Sequence, residues 1–354
     1  MAVTKRRKGA AFPVVSAAAR LIAGVSFTAA LALSGCGETE HQRKELNIVE
    51  HTSLMEKWKD ELPADGTVEV ASASVRGLSL ERGEEEIFTV AYEPGEYKPS
   101  YDYWELDAPY SSMTTVNTET LYELFGQIDG LALTPDTSGK TAEESGVADS
   151  DRSVAIALDS TGDEMPETVL RFTVGDSDNK GNYYVQAEGS EQISLVPSGA
   201  VDVLFEVEPY DYILKLPVLV DITSVSDVEV EKDGKLYTMS AGDGEYRING
   251  RKAEEEEYNT AYQKLMGVFL AGEIPDGEQD KEQSERKSER QGKESGSGDE
   301  ILTIRFFRNT ADASDVEVIY STYDDRYASV SVNGESYFLA EMEEVEALYE
   351  LSAR

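Results

Sequence analysis

Residues 172–206, FTVGDSDNKGNYYVQAEGSEQISLVPSGAVDVLFE, return 144 residues later as 316–350, VEVIYSTYDDRYASVSVNGESYFLAEMEEVEALYE. Eight of the 35 aligned pairs are identical, among them Tyr183/Tyr327, Leu195/Leu339, Val201/Val345, Leu204/Leu348 and Glu206/Glu350. The identities are few, but the order strand, hairpin, helix is kept. A chain that repeats this pattern must solve one burial problem twice, because each sheet needs a helix to cover a face. The expected fold class is α+β: tandem β-hairpin-plus-helix units, antiparallel sheets covered by helices, and an internal duplication into two halves of two units each.

Local patterns support that reading. TVEVASASV (67–75), EEIFTVAYE (85–93), WEL (104–106), SVAIALDS and TVLRFTVGD alternate or cluster apolar residues as strands do. NYYVQAEGSEQISLVP turns near Gly189, and Asp233-Gly234 and Asn333-Gly334 each sit between alternating runs, a hairpin signal. Asn117 caps an expected helix over 117–130, with Leu121, Leu124, Phe125 and Ile128 on one face. A second helix is expected at 198–206. A third, at 253–270, has Tyr262, Leu265, Met266 and Phe269 in the same spacing; a fourth shows Met342, Val345, Leu348 and Tyr349.

The chain has one cysteine, so no intramolecular disulfide staples it. Lys5, Arg6, Arg7 and Lys8 precede an apolar region, and Leu21 to Leu33 carries no charge. Those 13 residues make about 20 Å of helix against roughly 30 Å of hydrocarbon, short for a span and suited to a signal peptide. The run ends in Leu33-Ser34-Gly35-Cys36, which resembles a bacterial lipobox. That resemblance implies cleavage before Cys36 and a diacylglycerol on its sulfur, and two acyl chains suffice for stable anchoring. The expected partner is therefore a membrane, reached through lipid, with the protein on the extracytoplasmic side.

The domains expected are a signal peptide at 1–35, a polar tether at 36–62, a first α+β domain at 63–222 and a second at 223–354. The stretch 275–300 has no aliphatic or aromatic residue beyond its first proline, and is expected to be a disordered insertion. The net charge is −38. Residues 1–35 carry five positive charges and no negative one, so the mature chain would stand at −43. Such a chain repels nucleic acid, and no nucleic-acid partner is expected. The acidity reads first as solubility, and second as attraction for a basic partner.

Three stretches resemble one family. YWELDAPYSSMTTVNTETLYELFGQIDGL (103–131) has a tryptophan strand ending at a proline, then a helix. EESGVADSDRSVAIALD (143–159) looks like the next element, with Ser145-Gly146-Val147 in place of a Tyr-Gly-Leu and without its proline. Residues 172–206 supply a strand ending in Gly-Asp, a Tyr-Tyr-Val hairpin and a helix. Together they resemble the domain of unknown function 4340 family, closely over 67–222 and loosely beyond. The resemblance implies a fold unit and carries no catalytic residue. It also implies an envelope lipoprotein, in some members accessory to an ABC transporter.

The sequence offers little catalytic chemistry. Its two histidines, His41 and His51, lie in the tether, so histidine-based triads and His/Cys zinc sites are excluded from the folded part. No cofactor or metal is expected. DSDNKG (176–181) begins like a calcium loop, but has Lys180 at the fifth position and Ala187 at the twelfth, and reads as a turn. The four glutamates of AEEEEY suit a helix start. Tyr97, Tyr101, Tyr103 and Trp104 form an aromatic concentration suited to stacking on a sugar or anchoring a partner, against the plainer reading that Trp104 is core. The function expected is a non-catalytic interaction module, accessory to membrane transporter subunits. The alternatives are an envelope glycan- or solute-binding lipoprotein and, less favoured, a carboxylate-dependent hydrolase.

Overall fold

Apolar alternation and positive-φ turns build two antiparallel sheets. The computed structural model describes residues 44–48, 69–93, 103–110, 113–163, 166–242, 244–275, 299–310 and 313–352, the last four by backbone alone. Cys36, Leu33, Ser34, Gly35, Tyr97 and Tyr101 lie outside the described residues, as do most of the tether and of the 275–300 stretch. Glu45–Arg354 forms one compact unit, distinct from Met1–Lys44.

The first half contains β1 (Val75–Arg82), β2 (Glu85–Tyr92), β3 (Trp104–Ala108), α1 (Thr118–Gln127), β4 (Thr134–Pro135), β5 (Arg152–Leu158), β6 (Thr168–Ser177), β7 (Asn182–Ala187), β8 (Ile193–Pro197) and α2 (Ser198–Phe205). The second contains β9 (Val225–Lys232), β10 (Lys235–Gly242), β11 (Glu245–Ile248), β12 (Arg251–Ala253), α3 (Glu255–Leu265), β13 (Leu270–Glu273), β14 (Glu300–Arg308), β15 (Val316–Thr322), β16 (Tyr327–Val332), β17 (Glu335–Glu341) and α4 (Met342–Ser352).

The first sheet runs β3-β2-β1-β5-β6-β7-β8-β4; the second runs β12-β11-β10-β9-β14-β15-β16-β17-β13. Apart from the β11–β12 hairpin standing where β3 stands alone, the order is the same. In each half a helix leaves one edge of the sheet and the chain returns at the other edge: α1 between β3 and β4, α3 between β12 and β13. A second helix follows β8 or β17, and α1 packs on α2 as α3 packs on α4.

Asn117 caps α1, its side chain accepting from the Thr120 N–H at 3.5 Å. Leu121, Leu124 and Phe125 are buried with Ile128, and each such side chain contributes roughly 1.5–3 kcal/mol by burial. They join one apolar cluster that runs through both halves, with Leu78, Leu80 and Phe88 on one side and Ile304, Phe306 and Val345 on the other. Residue 222 opens a short 3-10 turn, Ile222–Ser224, that feeds β9.

The hairpins turn where the sequence predicts. Asp233-Gly234 has φ of 50° and 71°, and Asn333-Gly334 has 50° and 92°, so both are type I′ turns that match the twist of the strands. Asn249-Gly250, with φ of 49° and 73°, makes a third such turn between β11 and β12.

Two expectations need correction. Of 67–75, Glu69 makes an isolated bridge to Ala132, a 3-10 turn at Ser72–Ser74 follows, and the strand begins only at Val75 and runs to Arg82, closed by Gly83 at φ 68°. The helix expected to reach residue 270 stops at Leu265. Leu270 pairs with Ala340 as the edge strand β13, and Phe269, placed by its spacing on the buried face, is 57% exposed. Sheet pairing at the β17 edge takes these residues from the helix.

Candidate functional site

The helices cover the faces of the sheets that carry Leu80, Val154 and Phe172 in one half and Val230, Ile304 and Val318 in the other. The opposite faces carry polar and small side chains. On the first sheet this outer face holds a groove of about 690 Å³, in the size range of small-molecule sites. Its lining includes Glu81 from β1, Ser153 and Ala155 from β5, Arg171 and Thr173 from β6, and Gln186 from β7.

Register explains the grouping. Glu81 pairs with Ser153, which pairs with Thr173 and, across β7, Gln186. Ser79 pairs with Ala155, which pairs with Arg171. Alternate residues share a face, so the strands bring these side chains to one side. Arg171 places Nε 3.2 Å from the Glu188 carboxylate, while its Nη2, shielded from solvent, has no hydrogen-bond partner among the described residues. Gln186 donates to the Ser190 carbonyl at 2.9 Å. The Glu81 carboxylate has no hydrogen-bond or ion-pair partner among the described residues.

The equivalent place on the second sheet is filled by the protein itself. There Glu231 pairs with Thr303, and Glu229 with Arg305, which pairs in turn with Glu317. By strand order and register Thr303 stands where Ser153 stands, Glu231 where Glu81 stands and Arg305 where Ala155 stands. Arg305 reaches Glu317 at 2.8 Å and Glu231 at 3.3 Å. Burial opposes its charge, but the Glu317 and Glu231 carboxylates outweigh that and leave its pKa above the ordinary value. On the first sheet alanine occupies the position of this arginine and lines the groove.

A second cleft, about 880 Å³, lies beside α3 and is lined by Tyr237, Ile248, Arg251, Glu257 and Lys264 among others. Within it Arg251 is paired with Glu257. Among the described residues, no group of three or more His, Cys, Asp or Glu is placed to hold a metal. Asp178 of the DSDNKG stretch is occupied in a turn: it accepts from the N–H groups of Lys180 at 2.7 Å and Asn182 at 2.9 Å.

Of the aromatic candidates, Tyr103 is 49% exposed, whereas Trp104 is only 2% exposed. Trp104 packs on Tyr92 and Phe125 with ring centroids 5.4 and 5.3 Å away, and its Nε1 donates to the Tyr122 hydroxyl at 3.0 Å. Its faces are used inside the protein, so Trp104 cannot serve as an exposed stacking surface. Tyr122, 55% exposed, stands beside Tyr103 in chemistry; its place on the outward side of α1 was legible in the helical spacing. Ala155, Arg171 and Glu81 had no signal in the sequence alone, because their relation depends on which strands become neighbours.

The motifs that suggested a family are packing devices. Asp176 donates its N–H to the Ser145 carbonyl at 2.8 Å, joining the Gly-Asp strand end to Ser145-Gly146-Val147. A Cβ on Gly175 would lie 2.4 Å from that carbonyl oxygen, so the close approach requires glycine. Gly146, at φ 72°, sits against the Asp176 side chain.

Compared with known proteins, residues 104–270 match the family model described as Domain of unknown function (DUF4340), just under half of the chain. The matched region opens at β3 and closes at the first residue of β13, so it begins later than the expected 67 and runs past 222 through α3. No curated protein and no solved structure matches the chain.

Proposed function

We propose that this chain is a lipid-anchored, extracytoplasmic interaction module without catalytic activity, working beside the permease subunits of an ABC transporter. The observation that carries the anchoring is the order of basic cluster, 13-residue charge-free run and Leu33-Ser34-Gly35-Cys36. The resemblance to the family supports the transporter setting. Two sheets of one strand order support a scaffold that presents surfaces. We read that shared order, with the 144-residue recurrence, as an internal duplication. Labelling cells with a radioactive fatty acid tests the anchor: the label is expected on the wild-type chain and absent from Cys36→Ala. Crosslinking in membranes tests the partner, and recovery of the lipoprotein alone with several crosslinkers would dispose of it.

The groove of the first sheet favours a second reading, a module that binds a small solute in the envelope. Polar side chains converge on a floor of Ala155 and Ser153, the arrangement of a site that orients a ligand through hydrogen bonds. Equilibrium binding to a panel of envelope solutes, repeated with Ala155→Arg, tests it.

A further inference from the structure

We propose that the groove binds a small zwitterionic ligand, an amino acid or short peptide with free ends, between Arg171 and Glu81. The inference rests on the solute-binding reading and names its ligand class.

The argument starts from the second sheet. There a cationic side chain sits between two carboxylates, with Arg305 bonded to Glu317 and Glu231. On the first sheet the cation is one strand over, at Arg171, and the central position is a methyl group, Ala155. Two demands are left open. Among the described residues the Glu81 carboxylate has no donor and Arg171 Nη2 has no acceptor. The two residues sit two strands apart and on neighbouring outward positions, about 10–12 Å between Cα atoms at a strand spacing of about 4.8 Å and a rise of about 3.4 Å. Both residues line the groove beside Ala155.

Ligand chemistry follows from those demands. A simple anion satisfies Arg171 but meets Glu81, Glu188 and Glu191 on the rim. A simple cation satisfies Glu81 but leaves the guanidinium donor unmet. A ligand with a carboxylate at one end and an ammonium at the other meets both, the carboxylate on Arg171 and the ammonium on Glu81. Ser153, Thr173 and Gln186 then face the peptide group between, as donors and acceptors. Rebuilding the second sheet's solution, Ala155→Arg, would fill the same space with the protein's own cation.

The test is titration calorimetry of the full-length chain in detergent with L-alanyl-L-alanine, its N-acetyl form and its C-terminal amide. Saturable binding of the dipeptide is expected, and blocking either end should weaken it roughly tenfold, about 1.4 kcal/mol. Arg171→Gln and Glu81→Gln should each cost about as much, and each should erase the preference for the free end it faces. Ala155→Arg should abolish binding without lowering the thermal midpoint. No saturable binding to the wild-type chain, equal binding of the blocked forms, or equal affinity for acetate or ethylamine alone would overturn the proposal. The blocked-peptide comparison uses the wild-type chain and holds whatever the variants do. Fatty-acid labelling at Cys36 and crosslinking to permease subunits report on the anchor and the partner separately.

Discussion

The hydroxyl of Tyr110, just after β3, donates to the carboxylate of Glu273 on β13, tying the first half to an edge strand of the second. The Tyr110 ring lies edge-on to Tyr337 and Phe338, with centroids 5.6 and 4.7 Å away. Tyr210 extends the contact: its hydroxyl donates to the Leu270 carbonyl at 3.1 Å. Burial pushes the Tyr110 hydroxyl far above its ordinary pKa, and the bond to Glu273 adds to the shift. Tyr110→Phe should therefore lower the unfolding free energy by about 1 kcal/mol, the net value of one hydrogen bond. Tyr110→Ala, which also removes the ring, should cost about 3–5 kcal/mol. Urea unfolding measures both, and equal losses would mean that the ring packing contributes nothing.

Alkaline pH should destabilise the fold. Burial pushes the Tyr258 hydroxyl up to about 12, with the Asp227 charge adding to the effect, and it has no hydrogen-bond partner among the described residues. In the unfolded chain a tyrosine loses its proton near pH 10. Between pH 10 and about 12 the folded state therefore holds a proton that the unfolded state has released, so stability falls as pH rises. Tyr258→Phe should flatten this slope, and at pH 7 it should leave stability unchanged or slightly higher, since it removes an unsatisfied buried hydroxyl. Unfolding free energy measured from pH 8 to 12 decides the point.

Trp104→Ala should unfold or severely weaken the first half, by about 3–5 kcal/mol, because it empties a site packed by Tyr92 and Phe125. Thermal unfolding followed by circular dichroism checks it. A stable variant with a native spectrum would contradict the core role.

Gly175→Ala should cost about 1–3 kcal/mol, since the added methyl collides with the Ser145 carbonyl, a backbone atom that cannot rotate away. Gly199→Ala is the control: nothing lies within 4 Å of its added Cβ, and a helical alanine should be neutral or stabilising. Parallel denaturant titrations of the two variants compare them.

Much of the local structure was legible. Asn117 announced the cap of α1, and Leu121, Leu124 and Phe125 its buried face, because a helix fixes which residues share a side. Asp-Gly and Asn-Gly marked turns because those residues tolerate positive φ. Asn249-Gly250 makes a third such turn, and the strand that follows it, Arg251–Ala253, is only three residues long, too short to show an alternation in the sequence. Phe269 misled because its spacing continued a helical face that the chain abandons for β13. The solvent exposure of that ring reflects pairing with β17, a strand some seventy residues later.

The amino-acid sequence by itself determined most strand and helix positions and the turns, which depend on near neighbours, and it carries the recurrence over 144 residues. Tertiary structure decided the rest. It placed Trp104 in the core, shared one apolar cluster between the halves and set Ala155 on the first sheet where Arg305 stands on the second. The reason is register: a strand specifies which of its residues face one way, but only its neighbours specify which side chains meet there. The groove is a property of that meeting, and no single stretch of the chain contains it.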